Sequence, residues 1–232
     1  MARLPRIDIP GVTRHIVQRG NDRQACFADE TDFRRYLLEL YEASRKHDCA
    51  VHAYVLMANH VHLLATPSRP GSVARMMQAI GRRYVGCFNA RYGRTGTLWE
   101  GRYKAALVDD ERYVMACYRY IELNPVRAHM VTTPAEYRWS SHAHNAHGQY
   151  CPWLKPHASY LQLGRSPQER QVHYRALIAE QLDSQTIDEL RQYTQQQRAW
   201  GSHRFQQQIE ALTQRRAKVR SRGRPKKPKP EK

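Results

Sequence analysis

Val51-His52-Ala53-Tyr54-Val55-Leu56-Met57-Ala58-Asn59-His60-Val61-His62-Leu63-Leu64-Ala65-Thr66-Pro67 is the stretch on which the fold turns. Two β-rich apolar runs flank the break Ala58-Asn59, the pattern of adjacent antiparallel strands joined by a tight turn. Side chains alternate along a strand, so His60, His62 and Leu64 share one face while Val61, Leu63 and Ala65 take the other. Two imidazoles pointing the same way can converge on a single metal ion. In a chain with twelve histidines, a bare His-x-His also reads as a polar strand face. The ligand reading gains because apolar strand surrounds the pair and a core is expected to have no use for two imidazoles.

Upstream of the hairpin, Val12-Thr13-Arg14-His15-Ile16-Val17-Gln18 alternates and stops at Gly20-Asn21-Asp22, which reads as a first strand. Over 31–47 the apolar positions Phe33, Leu37, Leu40 and Ala43 recur at helical spacing, with acids near the start and Arg45-Lys46-His47 at the end, where the helix dipole favours them. Downstream, Ser72 can cap a helix whose buried stripe is Val73, Met76, Ile80, Tyr84 and Phe88. Its other face carries Arg82 and Arg83, read either as a solvated surface or as phosphate contacts. A Gly- and Arg-rich loop over 91–97, with Arg94, is a candidate DNA-facing segment before a strand over 102–108. Asp109-Asp110 start a further helix carrying Tyr113, Cys117, Tyr120 and Ile121, which ends at Asn124-Pro125 because a residue before proline avoids the α region. The order β-α-β-β-α-β predicts an α+β fold with an antiparallel sheet, the ferredoxin-like split βαβ arrangement that RRM domains share.

The charge restricts the partner. Within 232 residues, 38 Lys and Arg face 21 Asp and Glu, a net +17, which favours a polyanion. Nucleic acid is the first choice, since no stretch approaches the roughly 20 apolar residues of a membrane span. No membrane association and a cytoplasmic, nucleoid-associated location are expected. Five cysteines, odd in number and without a Cys-x-x-Cys pair, indicate free thiols rather than a zinc knuckle.

Residues 126–165 read as irregular, with His142, His144 and His147 assigned to a solvated loop. Ser166-Pro167-Gln168-Glu169 is a capping box, and helices are expected from 167 to about 217. The resulting division is a catalytic domain over 1–145, a helical C-terminal module over 146–213 and a disordered basic tail over 214–232. The tail holds ten Lys and Arg against the single acid Glu231. Within it, Arg222-Gly223-Arg224-Pro225 resembles the core of an AT-hook, which would lie in an A·T-rich duplex minor groove. A solvated tail acting through counterion release is the alternative.

Fourteen tyrosines make position the only argument for a nucleophile. Tyr120 falls near the end of a helix that packs beside the His60–His62 strand, whereas Tyr113 and Tyr118 read as core. A metal held by two histidines keeps positions open for a phosphate oxygen, and phenolate attack on phosphorus needs in-line placement and charge neutralisation.

His60-Val61-His62 after Leu56-Met57-Ala58-Asn59, with Arg119-Tyr120-Ile121-Glu122-Leu123-Asn124-Pro125-Val126-Arg127-Ala128, resembles the HUH-type one-tyrosine transposases, most closely the REP-associated tyrosine transposases of bacteria. The resemblance runs from residue 1 to about 145 and includes Leu98-Trp99-Glu100-Gly101-Arg102 and Trp139-Ser140-Ser141. It implies an endonuclease and strand transferase acting on single-stranded DNA with hairpins, and a chain that works as a monomer. It further implies that His60 and His62 bind Mg²⁺ or Mn²⁺, and that Tyr120 attacks the scissile phosphate to leave a 5′-phosphotyrosine and a free 3′-OH. A polar residue one turn after the tyrosine completes the metal site in such enzymes, and Asn124 has that place. Asn before Pro is also a helix cap, in which case Glu122 or Glu100 would substitute. The competing class, a non-catalytic RRM-like single-strand binder, would carry an aromatic-rich strand motif that this sequence lacks.

Overall fold

Alternation in the hairpin becomes a sheet covered on both sides. The computed structural model describes residues 6–110 and 112–220. Its strands are β1 (Arg14–Arg19), β2 (Cys49–Met57), β3 (His60–Pro67), β4 (Lys104–Val108) and β5 (Ala199–Trp200), in the order β2-β3-β1-β4-β5. All neighbours are antiparallel except β4 and β5, which are parallel. The first four strands have the split βαβ order expected from the sequence, and β5 is an added edge. Met57 pairs with His60 across the two-residue turn. A register shift between Val51 and Ala53 inserts His52 as an extra residue, the kind of bulge that re-aims a side chain.

Val61, Leu63 and Ala65 pack with Ile16 against α1 (Glu30–Lys46) and α2 (Ser72–Arg91). Leu64, on the opposite face, joins Ala53, Val55 and Met57 under α3 (Arg112–Glu122). A strand buried on both faces loses strict alternation, which is why β2 reads as an apolar run. The chain continues through α4 (Asn124–Arg127), α5 (His142–His147), α6 (Ala158–Leu161), α7 (Pro167–Ala179), α8 (Ser184–Gln196) and, after β5, α9 (His203–Thr213).

Helix starts follow local chemistry. Asp29 accepts from the Thr31 and Asp32 amides while Asp32 reaches back, a capping box that Arg91 ties down through ion pairs to both carboxylates. Ser72 is not the cap expected of it: it is the first helical residue of α2, and Gly71 precedes it at φ 76°, where glycine carries no Cβ penalty. The Gly71 amide donates to Asp8. Ser166 does cap α7 through the Glu169 amide, but the Glu169 carboxylate accepts from Arg165 rather than closing the box.

Two expectations for the second half are corrected. His142 does not lie on a solvated loop: it is buried, and its Nδ1 sits 3.1 Å from Glu122. Residues 214–220 are not free tail. Ala217 is fully buried, its carbonyl accepts from the Ala199 amide, and Gln196 pairs with both backbone groups of Arg220. The rest of that segment, with Arg222 and Arg224, lies outside the described residues. Beyond residue 145, α8 packs on β1 and β4, and β5 extends the sheet. No described helix is long and apolar enough to cross a membrane.

Candidate active site

The His60 end of β3 opens into a cleft of about 440 Å³. Val17, Gln18 and Arg19 of β1 line it with Arg23, Asn59, His60 and His62. Glu100, Gly101, Arg102 and Lys104 come from the segment leading into β4, and Gln195 from α8. The basic side chains Arg19, Arg23, Arg102 and Lys104 outnumber the one acid, Glu100, which suits a phosphate backbone. Gly20 makes the floor possible. Its amide donates to the Asn59 carbonyl, and a Cβ there would meet the Gln24 carbonyl oxygen at 2.2 Å.

His60 and His62 face the same way, with ring centroids 4.9 Å apart. His60 Nδ1 lies 2.6 Å from Asn59 Oδ1, an acceptor, so the imidazole donates from Nδ1. His62 Nδ1 is 2.8 Å from His15 Nε2, and His15 Nδ1 is 2.9 Å from the Thr194 hydroxyl. Neither His60 nor His62 has an Nε2 partner among the described hydrogen bonds. Burial, reinforced by Arg19, pushes His60 down to about 4. Burial and the neighbouring His15, His60 and arginines hold His62 well below its ordinary value. Both rings are therefore neutral near pH 7, the form that ligates metal.

This donor set fits a divalent cation. Each ring is held by a hydrogen bond at Nδ1, the outer-shell arrangement that fixes a ligating histidine's tautomer. Among the described residues no group of three or more His, Cys, Asp or Glu converges. The protein thus offers two imidazole nitrogens, with Glu100 on the cleft wall, and leaves positions for oxygens from substrate and water.

Tyr120 stands against this pair. Its ring meets His62 and His15 edge-on, at 5.6 Å between centroids in each case. The Arg127 guanidinium lies 4.4 Å above the ring and donates to the Tyr120 carbonyl. Arg191, on α8, is raised above the ordinary guanidinium range, chiefly by the Tyr120 phenol. Burial lowers Arg127 to about 10, with Tyr120 opposing the shift. Three other buried phenols are committed elsewhere: Tyr174 donates to Glu122, Tyr160 to the Asn145 carbonyl and Tyr84 to the Cys26 carbonyl.

The remaining sequence candidates are scattered. Asn124 does not line the cleft, and it caps nothing: the cap of α4 falls on Leu123, without a side-chain bond. Arg127, not Asn124, folds back on Tyr120. Glu122 is wholly buried and bonded to Ser141, His142, Asn145 and Tyr174, away from the cleft. Glu100 is in the cleft, paired with Arg19 at 2.6 Å. Arg83 is engaged by Glu39 and Glu42, Arg94 lies 5.6 Å from the Phe88 ring centroid, and Arg82 is exposed on α2. Sequence reasoning missed His15, Thr194, Arg127 and Arg191. The signal for His15 was its place on an alternating strand, but the partner strand that brings it to His62 was not legible.

The comparisons with known proteins give the class to which this sheet belongs. The family described as "Transposase IS200 like" matches residues 9–124, half of the chain, and the chain belongs to that family. This decides against the RRM alternative. The fold is similar to a solved REP-associated tyrosine transposase bound to a REP hairpin, with 18% identity, a TM-score of 0.54, and coverage of 68% of this chain and 93% of that one. A putative transposase from Deinococcus radiodurans aligns at 19% identity over 56% of this chain and 92% of its own, with a TM-score of 0.37. No curated protein matches.

Proposed function

We propose that the chain is a metal-dependent endonuclease and strand transferase for single-stranded DNA, using Tyr120 as nucleophile. The observation that carries this is the packing of the Tyr120 ring on His62, 5.6 Å between centroids, beside a basic cleft into which two imidazole nitrogens are free to bind. His60 and His62 would hold Mg²⁺ or Mn²⁺ through Nε2. When bound, the ion supplies Lewis-acid polarisation of a phosphate oxygen.

The protein's own groups account for the rest. Arg19, Arg23, Arg102 and Lys104 draw the strand's phosphates into the cleft. Arg127 braces the Tyr120 ring, and the charges of Arg127 and Arg191 stabilise its developing phenolate. Attack of that oxygen on phosphorus expels the 3′ oxygen of the upstream strand and leaves a 5′-phosphotyrosine. A 3′-OH attacking the same linkage regenerates Tyr120 and joins strands. Nucleophile and histidines belong to one chain, which supports action as a monomer. A hairpin of the REP type is the proposed substrate, because the solved relative is bound to one.

The test is incubation of the full chain with labelled single-stranded hairpin DNA and Mn²⁺, followed by denaturation. A covalent adduct that disappears in Tyr120→Phe and on addition of EDTA is expected. Cleavage by Tyr120→Phe at the wild-type rate would overturn the assignment.

A further inference from the structure

Helix α8 lies outside the family-matched span, yet it touches the strand pair that carries the histidines. His15, His62 and Thr194 are all buried, with 1%, 5% and 6% exposure. The two rings are within 4° of parallel, joined from His15 Nε2 to His62 Nδ1 at 2.8 Å, and the line ends on Thr194 Oγ1 at 2.9 Å from His15 Nδ1.

A neutral imidazole has one N–H and one lone pair, so this line can run in only two directions. In the first, His62 Nδ1–H donates to His15 Nε2 and His15 Nδ1–H donates to Thr194 Oγ1. His62 Nε2 then keeps its lone pair towards the cleft. In the second, the Thr194 hydroxyl donates to His15, His15 Nε2–H donates to His62 Nδ1, and the His62 proton sits on Nε2. Only the first direction leaves His62 a ligand, and only a hydrogen-bond acceptor beyond His15 permits it. Without that acceptor the His15 Nδ1–H would be a buried orphan donor, the costlier kind of unpaired group.

We propose that Thr194, acting through His15, is a positioning residue that aims the His62 lone pair at a divalent cation, which makes α8 a wall of the active centre. The proposal rests on the reading of His62 as a ligand. It predicts that Thr194→Val, close in shape but without the hydroxyl, weakens Mn²⁺ binding to the full chain by about tenfold or more, as loss of an outer-shell partner does. Thr194→Ser, which keeps the acceptor, restores it.

Mn²⁺ binding is followed by electron paramagnetic resonance, which needs no DNA. Nitrogen chemical shifts of the Mg²⁺-loaded wild type give the tautomers directly and decide the matter even if Thr194→Val fails to fold: His15 should carry its proton on Nδ1. A folded Thr194→Val with wild-type Mn²⁺ affinity, or a His15 protonated on Nε2 in the Mg²⁺-loaded protein, overturns the proposal. If His62→Ala binds Mn²⁺ as the wild type does, the metal reading itself falls and this proposal with it. If only Thr194→Val is unchanged, the metal reading stands and this proposal alone is lost.

Discussion

Two buried histidine clusters sit on the same sheet, and they differ in what their nitrogens have left to offer. In the first, His52 Nδ1 is bound by the Lys155 carbonyl and Nε2 by Thr66. His157, its edge-on neighbour at 5.0 Å, has Nδ1 on Ser159 and Nε2 on Thr13. All four ring nitrogens are used. In the second, His60 and His62 each use Nδ1 and keep Nε2. Burial of imidazole is therefore no mark of a site, because the fold uses it as a structural cross-link; an unspent nitrogen facing a cleft is the mark. The tyrosines divide in the same way, with Tyr174, Tyr160 and Tyr84 committed through their own protons and Tyr120 set under the Arg127 cation.

This contrast breaks most visibly at the ligands. His62→Ala should lower Mn²⁺ affinity by more than about a hundredfold, beyond what outer-shell losses produce. His52→Gln should leave Mn²⁺ binding unchanged, and its cost should appear in urea unfolding as about 1–3 kcal/mol for a disturbed buried hydrogen bond. Metal loss in His52→Gln with the fold intact would erase the distinction.

Acid sharpens it next. Burial pushes His52 down to about 4 from an ordinary 6.5. Above pH 6.5 the ring is neutral folded and unfolded, so its burial adds no pH dependence. As pH falls below that, the unfolded chain takes the proton first and stability declines, by up to about 3 kcal/mol near pH 4. Urea unfolding between pH 7 and 4 should show this limb, and His52→Gln should make it shallower by one group's share, since His60 and His62 are lowered as well. The same slope in the variant would place the acid sensitivity elsewhere.

The smallest expected effect concerns Tyr120. Arg191→Met should slow single-turnover cleavage by about tenfold, through loss of one positive charge that favours the phenolate, while Mn²⁺ affinity holds. A wild-type rate would assign the phenolate's stabilisation to Arg127 alone.

Much of this architecture could be read from local pattern. The turn at Ala58-Asn59, the opposite faces of His62 and Leu63, and the α1 helix all depend on neighbours within a few residues. The centre was legible only in part for the same reason. His60, His62 and Tyr120 stand in short motifs, whereas His15 reaches His62 through the β1–β3 register and Thr194 comes from the far end of the sequence. The expectation that a core has no use for two imidazoles failed on His52 and His142 and on the half-buried His157, whose partners Lys155, Glu122 and Thr13 no local spacing announces. Strand β5 and the buried Ala217 were missed because two residues carry no periodicity and their burial depends on β4.

The bond between His15 and Thr194 joins residues 179 positions apart, which gives the centre a place in time. Chains emerge from the ribosome at roughly 5–20 residues per second, so the first strand waits on the order of ten seconds for its partner helix. Over the last part of that interval, from Tyr120 to Thr194, the His62 line has no end, although both histidines and the tyrosine have already been made. On the proposal made for Thr194, a nascent chain therefore holds its histidine pair before the residue that aims it.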